Sequence, residues 1–77
     1  MRISMDKLSR FVVCINNSDY PSSLELHKIY PVLEDKGLEE GDIRVIDESG
    51  EDYIYPSSCF ADIQVPDIVK KSLAEMA

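Results

Sequence analysis

Short apolar runs separated by polar turns dominate the chain, and their spacing predicts strands. The first run occupies 10–15 (RFVVCI) and stops at the polar stretch 16–19 (NNSD). A run rich in β-branched and aromatic residues, bounded by turn-forming residues, is typical of a buried strand followed by a loop. We therefore predict a first strand at 10–15. Before it we predict a flexible segment at 1–9, in which Met5 is an alternative start to Met1.

The segment that follows the first loop admits two interpretations. Ser22 and Glu25 have the spacing of a capping box, which would open a short helix. The alternation of Leu24 and Leu26 instead fits an extended chain, and Pro31 would break a helix that ran so far. We favour a long loop that leads into a second strand at 28–34. Pro31 then implies an edge strand or a bulge.

The clearest pattern in the chain is a hairpin at 42–55. Its first strand, 42–47, places Ile43 and Val45 on one face, and its second strand is 52–55. The turn between them contains Ser49-Gly50, a turn-forming pair. A one-turn 3₁₀ break at 56–58 and a fifth strand at 60–64 complete the β pattern.

The C-terminal segment 65–77 has the pattern of a helix. Pro66 suits a first helical position, and Asp67 suits the positive end of the helix dipole. About three turns of helix are unstable alone, so the segment must dock on its own sheet or, alternatively, on a partner or a second copy. Apolar residues at helical spacing supply the docking stripe, with Ile68 beside it: Val65, Val69, Leu73 and Met76.

Size and charge narrow the classes of function. The 77 residues make one domain with a thin core, and 8 basic against 15 acidic residues give a net charge of −7. Such a chain repels nucleic acids and anionic membranes, and it favours neutral or basic protein partners, although surplus carboxylates also serve solubility. No apolar run is long enough for a membrane span or a signal peptide, so we expect a cytoplasmic protein.

Candidate catalytic and metal-binding residues are few. Cys14 and Cys59 lack the spacing of a zinc or redox motif, so we predict free, buried thiols; a disulfide between them would need neighbouring strands. His27, the single histidine, could pair with Cys14 or with Cys59, which is better placed at a turn, in a thiol enzyme; this is the least favoured function. Carboxylates at 34–42 and 47–52 lack the spacing of a calcium loop, and we interpret them as solvated turn charge. We expect no enzyme activity, no metal and no cofactor.

The segment 50–60 (GEDYIYPSSCF) resembles the end of an SH3 domain, where a strand runs into a Pro-Ser-Asn-Tyr-Val turn. Pro56 and Ser57 match that turn, whereas Cys59 stands at the position of its ligand-stacking Tyr. The segment 28–32 (KIYPV) resembles the second strand of small bacterial and phage SH3-like proteins of unassigned function. The resemblance covers 10–64 and implies a mainly β fold, a five-stranded SH3-like barrel to which the C-terminal α-helix is added. Because the chain has no Trp, recognition of Pro-rich peptides is not expected.

Four tyrosines lie on the loop and strands that form the ligand face of SH3-like barrels: Tyr20, Tyr30, Tyr53 and Tyr55. Tyrosines beside carboxylates resemble the cation-binding cage of Tudor-type barrels. Tyr53 and Tyr55 must share a face opposite Ile54; they bind ligand if exposed and belong to the core if they point inward.

We therefore predict a non-enzymatic module that binds a peptide or protein surface of neutral or positive charge. The alternative is a structural protein that self-associates through its C-terminal helix as a homo-oligomer. The predicted binding residues are Asp19, Tyr20, Asp52, Tyr53 and Tyr55.

Overall fold

A computed structural model describes residues 8–76, with the side chains of 10–73. It confirms a mainly β protein with a short C-terminal helix. A 3₁₀ turn at Ser57–Cys59 joins the last two strands, and the elements in chain order are β1 (Leu8–Cys14), β2 (Ile29–Leu33), β3 (Asp42–Ile46), β4 (Asp52–Pro56), β5 (Phe60–Ile63) and α1 (Asp67–Met76).

Most boundaries differ from the predicted ones by one or two residues. β1 begins at Leu8, inside the segment predicted to be flexible, and residues 1–7 with the Met5 alternative lie outside the described part of the chain. It ends before Ile15, whose N–H donates at 2.8 Å to the carbonyl of Cys59 in the turn that precedes β5. The residues from Ser22 to Glu25 form turns and loop, so the capping-box helix is not present.

The strands form one antiparallel sheet in the order β4-β3-β2-β1-β5. Consecutive strands β4 and β5 therefore lie at opposite edges, and the described strands show no pairing between them. The sheet curls enough to bring the rings of Tyr55 and Phe60 to 6.1 Å between centroids. It is nevertheless open, not closed by hydrogen bonds into a barrel.

Pro31 lies in an interior strand, so the prediction of an edge strand is wrong. β2 pairs with β1 on one side and with β3 on the other. The β2–β3 pairs involve Val32 and Leu33, and Pro31, which has no N–H to donate, lies next to them and outside that ladder. A bulge does accompany this region, but it lies on β1 between Leu8 and Arg10.

The inner face of the curled sheet carries the main core. Ile43 and Val45 are both buried there, as the alternation in β3 predicts. Leu24 enters this core from the loop between β1 and β2 and is 1% exposed. The buried residues of the cluster are Val12, Cys14, Leu24, Tyr30, Val32, Ile43, Val45, Tyr55, Cys59 and Phe60.

The C-terminal helix docks on the outer face of the same sheet. Phe11 alternates with Val12 along β1 and so points away from the main core. Leu73 of α1 packs in the Phe11 cluster, whose other members are Ile29, Leu33, Ile63 and Val65. No helix among residues 8–76 is long and apolar enough to cross a membrane.

We expect the two apolar residues Leu73 and Ile68 of α1 to differ in their effect on stability. Leu73→Ala should lower the free energy of unfolding by about 1 kcal/mol, because it removes partly buried apolar surface at Phe11. Ile68, which is 79% exposed, provides the matched control, and Ile68→Ala should change little. Urea unfolding followed by circular dichroism measures both. Equal losses would show that α1 docks through a different face.

Candidate functional site

A hollow between the first loop and the β3–β4 hairpin combines aromatic and carboxylate side chains. It has a volume of about 430 Å³. Tyr53 and Ile54 form its rim and are 50% and 47% exposed. We call it the aromatic hollow, and its lining residues are Tyr20, Ser23, Asp47, Ser49, Tyr53, Ile54 and Tyr55.

The two hairpin tyrosines share a face, but they differ in burial. Tyr55 pairs with Ile43 and Tyr53 with Val45, so both extend from the inner face of the sheet. Tyr55 is buried in the core, whereas Tyr53 lies nearer the hairpin turn and half of it is exposed. The sequence predicted that the two would be exposed or buried together. Instead, the sheet curl and the loop cover Tyr55 and leave Tyr53 at the rim.

Tyr20 is the loop residue that covers Tyr55. Its ring meets the Tyr55 ring edge-on, with 4.9 Å between centroids and 89° between planes. The loop is held in place by the side-chain amide of Asn17, which donates to the Leu24 carbonyl at 3.0 Å. The N–H of Glu48 donates to the Ser23 carbonyl at 3.1 Å and ties the loop to the hairpin. The wall formed by Tyr20 is therefore fixed on both sides.

Asp47 forms the floor of the aromatic hollow and is only 6% exposed. The hydroxyl of Tyr55 donates to its Oδ2 at 2.6 Å. The N–H of Ser49 donates to its Oδ1 at 2.8 Å, and the Ser49 hydroxyl donates to the same oxygen. For Asp47, the interpretation as solvated turn charge is therefore wrong.

Hydrogen bonds lower the pKa of the Asp47 carboxyl although the side chain is buried. Burial acts to raise the pKa of Asp47, but the bonds from Ser49 and Tyr55 together outweigh it, so the pKa lies below its usual value of 3.8. The carboxyl is thus ionised at neutral pH. Burial, together with the bond to Asp47, raises the pKa of Tyr55 to about 12, so the hydroxyl remains a donor.

This pKa shift predicts a loss of stability in acid. A carboxyl whose pKa is lowered by folding contributes stability above its unfolded pKa, and the contribution is lost as the pH falls below about 4 toward the folded pKa. The stability of Asp47→Asn should therefore fall less steeply between pH 5 and 2, a window of about three units. Urea midpoints across this range measure the slope. Some slope should persist, because hydrogen bonding to Arg44 lowers the pKa of Asp35 as well. An unchanged slope would contradict the prediction.

Two of the predicted binding residues lie apart from the aromatic hollow. The carboxylate of Asp52 accepts from Arg44 at 2.8 Å, and Arg44 also donates to Asp35 at 2.8 Å. Asp19 is exposed on the first loop and does not line the hollow. Tyr20, Tyr53 and Tyr55 are brought together, and Asp47, which the sequence did not single out, is the carboxylate among them.

The two thiols and the single histidine differ in exposure. Cys14 and Cys59 are free and buried, as predicted, although β1 and β5 are neighbours. Burial raises the pKa of the Cys59 thiol, which disfavours the reactive thiolate. His27 is exposed in a left-handed turn with φ 67°. In the described part of the chain, no three His, Cys, Asp or Glu side chains are grouped to hold a metal ion.

Comparisons with known proteins found no match: no family model, no curated protein and no solved structure is similar to this chain. The geometry of the aromatic hollow is therefore the basis for assigning a function.

Proposed function

We propose that this chain is a non-enzymatic interaction module of SH3-like build, which binds a neutral or basic peptide or protein segment in the aromatic hollow. The observation that carries the proposal is the rim of the hollow. Tyr53 and Ile54 stand half exposed beside Tyr20, above a floor held by hydrogen bonds. Exposed aromatic side chains on a rigid support are characteristic of binding surfaces.

Three features of the fold support the SH3-like part of the proposal. A long loop follows β1, a tight hairpin joins β3 and β4, and one 3₁₀ turn precedes β5. The 3₁₀ turn and β4 lie within the segment 50–60, whose sequence resembles the end of an SH3 domain. The curl that brings Tyr55 to Phe60 is also what a barrel-like sheet requires.

The charges around the hollow favour a cationic partner. Lys28 is the basic residue next to the hairpin turn, and its ammonium is paired with Glu48 at 2.6 Å. Glu51 accepts from the Tyr53 hydroxyl at 3.2 Å and adds a further carboxylate at the rim. With a net charge of −7, the chain attracts basic segments and repels acidic ones.

The test uses short synthetic peptides matched in length: one rich in lysine and arginine, one neutral and one rich in glutamate. Titration of the ¹⁵N-labelled chain should shift the amide signals of Tyr20, Ser49 and Tyr53 with the basic peptide and not with the acidic one. Binding should weaken as the ionic strength rises.

Tyr53→Ala should weaken binding of the basic peptide about fivefold or more, because it removes one wall of the hollow. The matched control is Ile15→Ala, since Ile15 is equally exposed but does not line the hollow. Equal binding by Tyr53→Ala and the parent chain would refute the proposal, provided that the variant gives a well-dispersed spectrum.

Self-association through α1 is the second candidate function. It is supported by Ile68 and Val69, which remain exposed after the helix has docked through Leu73. Sedimentation equilibrium distinguishes it: a dimer that Ile68→Lys converts to a monomer would favour assembly over peptide binding.

A further inference from the structure

The carboxylate of Asp47 has one acceptor position left. An ionised carboxylate offers about four lone-pair positions, two on each oxygen. The N–H and the hydroxyl of Ser49 occupy both positions on Oδ1. The Tyr55 hydroxyl occupies one position on Oδ2. The remaining position is therefore on Oδ2, in a residue that lines the aromatic hollow.

The charge of Asp47 is not balanced by a cation among the described residues. Its donors, Ser49 and Tyr55, are both neutral. The neighbouring bases are engaged elsewhere, Lys28 with Glu48 and Arg44 with Asp35 and Asp52. A buried carboxylate without a counter-charge is costly, and a cation brought by a ligand would reduce that cost.

We propose that the aromatic hollow is a lysine-binding pocket, in which the ammonium of a partner protein's lysine donates to Oδ2 of Asp47. The four-carbon stem of that lysine packs along Tyr20 and Tyr53, because such stems bury against apolar surface while the charged end stays in a polar environment. The tyrosine rings attract the ammonium as well. This inference rests on the proposed function and names the ligand group of the same site.

The single remaining acceptor position on Oδ2 of Asp47 also distinguishes lysine from arginine. Arginine binds carboxylates best as a fork, with one N–H directed to each oxygen. Oδ1 of Asp47 has no position left for the second branch. An ammonium is a compact charge that needs one acceptor at a time. The pocket should therefore prefer lysine to arginine.

The test titrates the ¹⁵N-labelled chain with three small probes: the Nα-acetyl amides of lysine, arginine and norleucine. The lysine probe should shift the amide signals of Ser49 and Tyr53 in a saturable manner. The arginine probe should bind several-fold more weakly, and norleucine, which has a similar stem but no charge, more weakly still. Arginine equal to lysine, or norleucine equal to lysine, would overturn the proposal.

Two variants locate the interaction. Asp47→Asn keeps the shape of the floor and removes its charge, so lysine affinity should fall about tenfold. Asp19→Asn is the matched control, because Asp19 is exposed and outside the hollow, and it should leave the affinity unchanged.

Ser49→Ala gives an independent test that does not depend on the folding of Asp47→Asn. It removes one of the two donors to Oδ1 and opens a second acceptor position, so arginine affinity should rise relative to lysine. An unchanged ratio of the two affinities would contradict the acceptor argument.

The two titrations, with peptides and with small probes, distinguish a failure of the lysine assignment from a failure of the proposed interaction module. If basic peptides bind at Tyr53 but lysine and arginine probes bind equally, the lysine assignment fails and the interaction module stands. If neither basic peptides nor the probes shift the signals of the aromatic hollow, both proposals fail.

Discussion

Replacing Leu24 with alanine is expected to lower the free energy of unfolding by about 3 kcal/mol, the largest effect we predict for a single truncation. Leu24 lies in a loop, yet it is 1% exposed and belongs to the main core. The other members of this cluster lie on strands and in the 3₁₀ turn, so we expect the cavity left by the truncation to collapse only partly. In a domain stabilised by about 5–15 kcal/mol, such a loss lowers the melting temperature markedly.

Leu26 supplies the control for this prediction. It is the same residue type two positions further along the loop, and it is 44% exposed. Leu26→Ala should change the free energy of unfolding by less than about 0.5 kcal/mol. Urea unfolding of both variants measures the difference. Similar losses would mean that the loop does not insert Leu24 into the core.

Tyr55→Phe should cost about 2 kcal/mol in the free energy of unfolding, although it removes a single oxygen atom. The lost hydroxyl donates to Oδ2 of Asp47 at 2.6 Å, and without it a buried charge loses one of its donors. The penalty is larger than that of an ordinary hydrogen bond because the carboxylate remains ionised and poorly hydrated. Denaturant unfolding at neutral pH measures it.

Tyr53→Phe is the corresponding control on the same face of the same strand. The Tyr53 hydroxyl lies 3.2 Å from Glu51 at an exposed position, where water replaces the lost partner. We expect no measurable change in stability. If Tyr55→Phe also left the free energy of unfolding unchanged, the hydrogen bond from the Tyr55 hydroxyl would not stabilise Asp47.

The elements of the fold follow from local patterns that are visible in the sequence. The alternation in β3, the Ser49-Gly50 turn and the run in β1 each depend on neighbours a few residues away. Gly50 adopts φ 82° in the hairpin turn, a conformation for which glycine is the favoured residue. Such signals predicted five strands, the 3₁₀ turn and the helix to within one or two residues.

The sequence did not predict the floor of the aromatic hollow, because that floor depends on contacts between distant residues. The pattern Asp47-x-Ser49 indicates a local turn bond from the Ser49 N–H to the carboxylate. It does not indicate burial, which requires the Tyr55 hydroxyl and the first loop to approach from elsewhere. Likewise, Arg44 pairs with both Asp35 and Asp52, which lie on different segments of the chain. The pattern of residues within one strand does not reveal such contacts between side chains of different segments.

The pairing of β1 with β5 has a consequence for the order in which the molecule can assemble. Among the described strands, β1 is synthesised first, whereas β5, one of its two neighbours in the sheet, is synthesised last. Until 60–63 is available, one side of β1 presents unpaired N–H and C=O groups, which can recruit strands from other chains. A nascent or proteolysed chain that ends before residue 60 should therefore aggregate, even though its β3–β4 hairpin is complete. The β1–β5 contacts join residues about fifty positions apart, and contacts of such long sequence separation slow folding relative to local pairing.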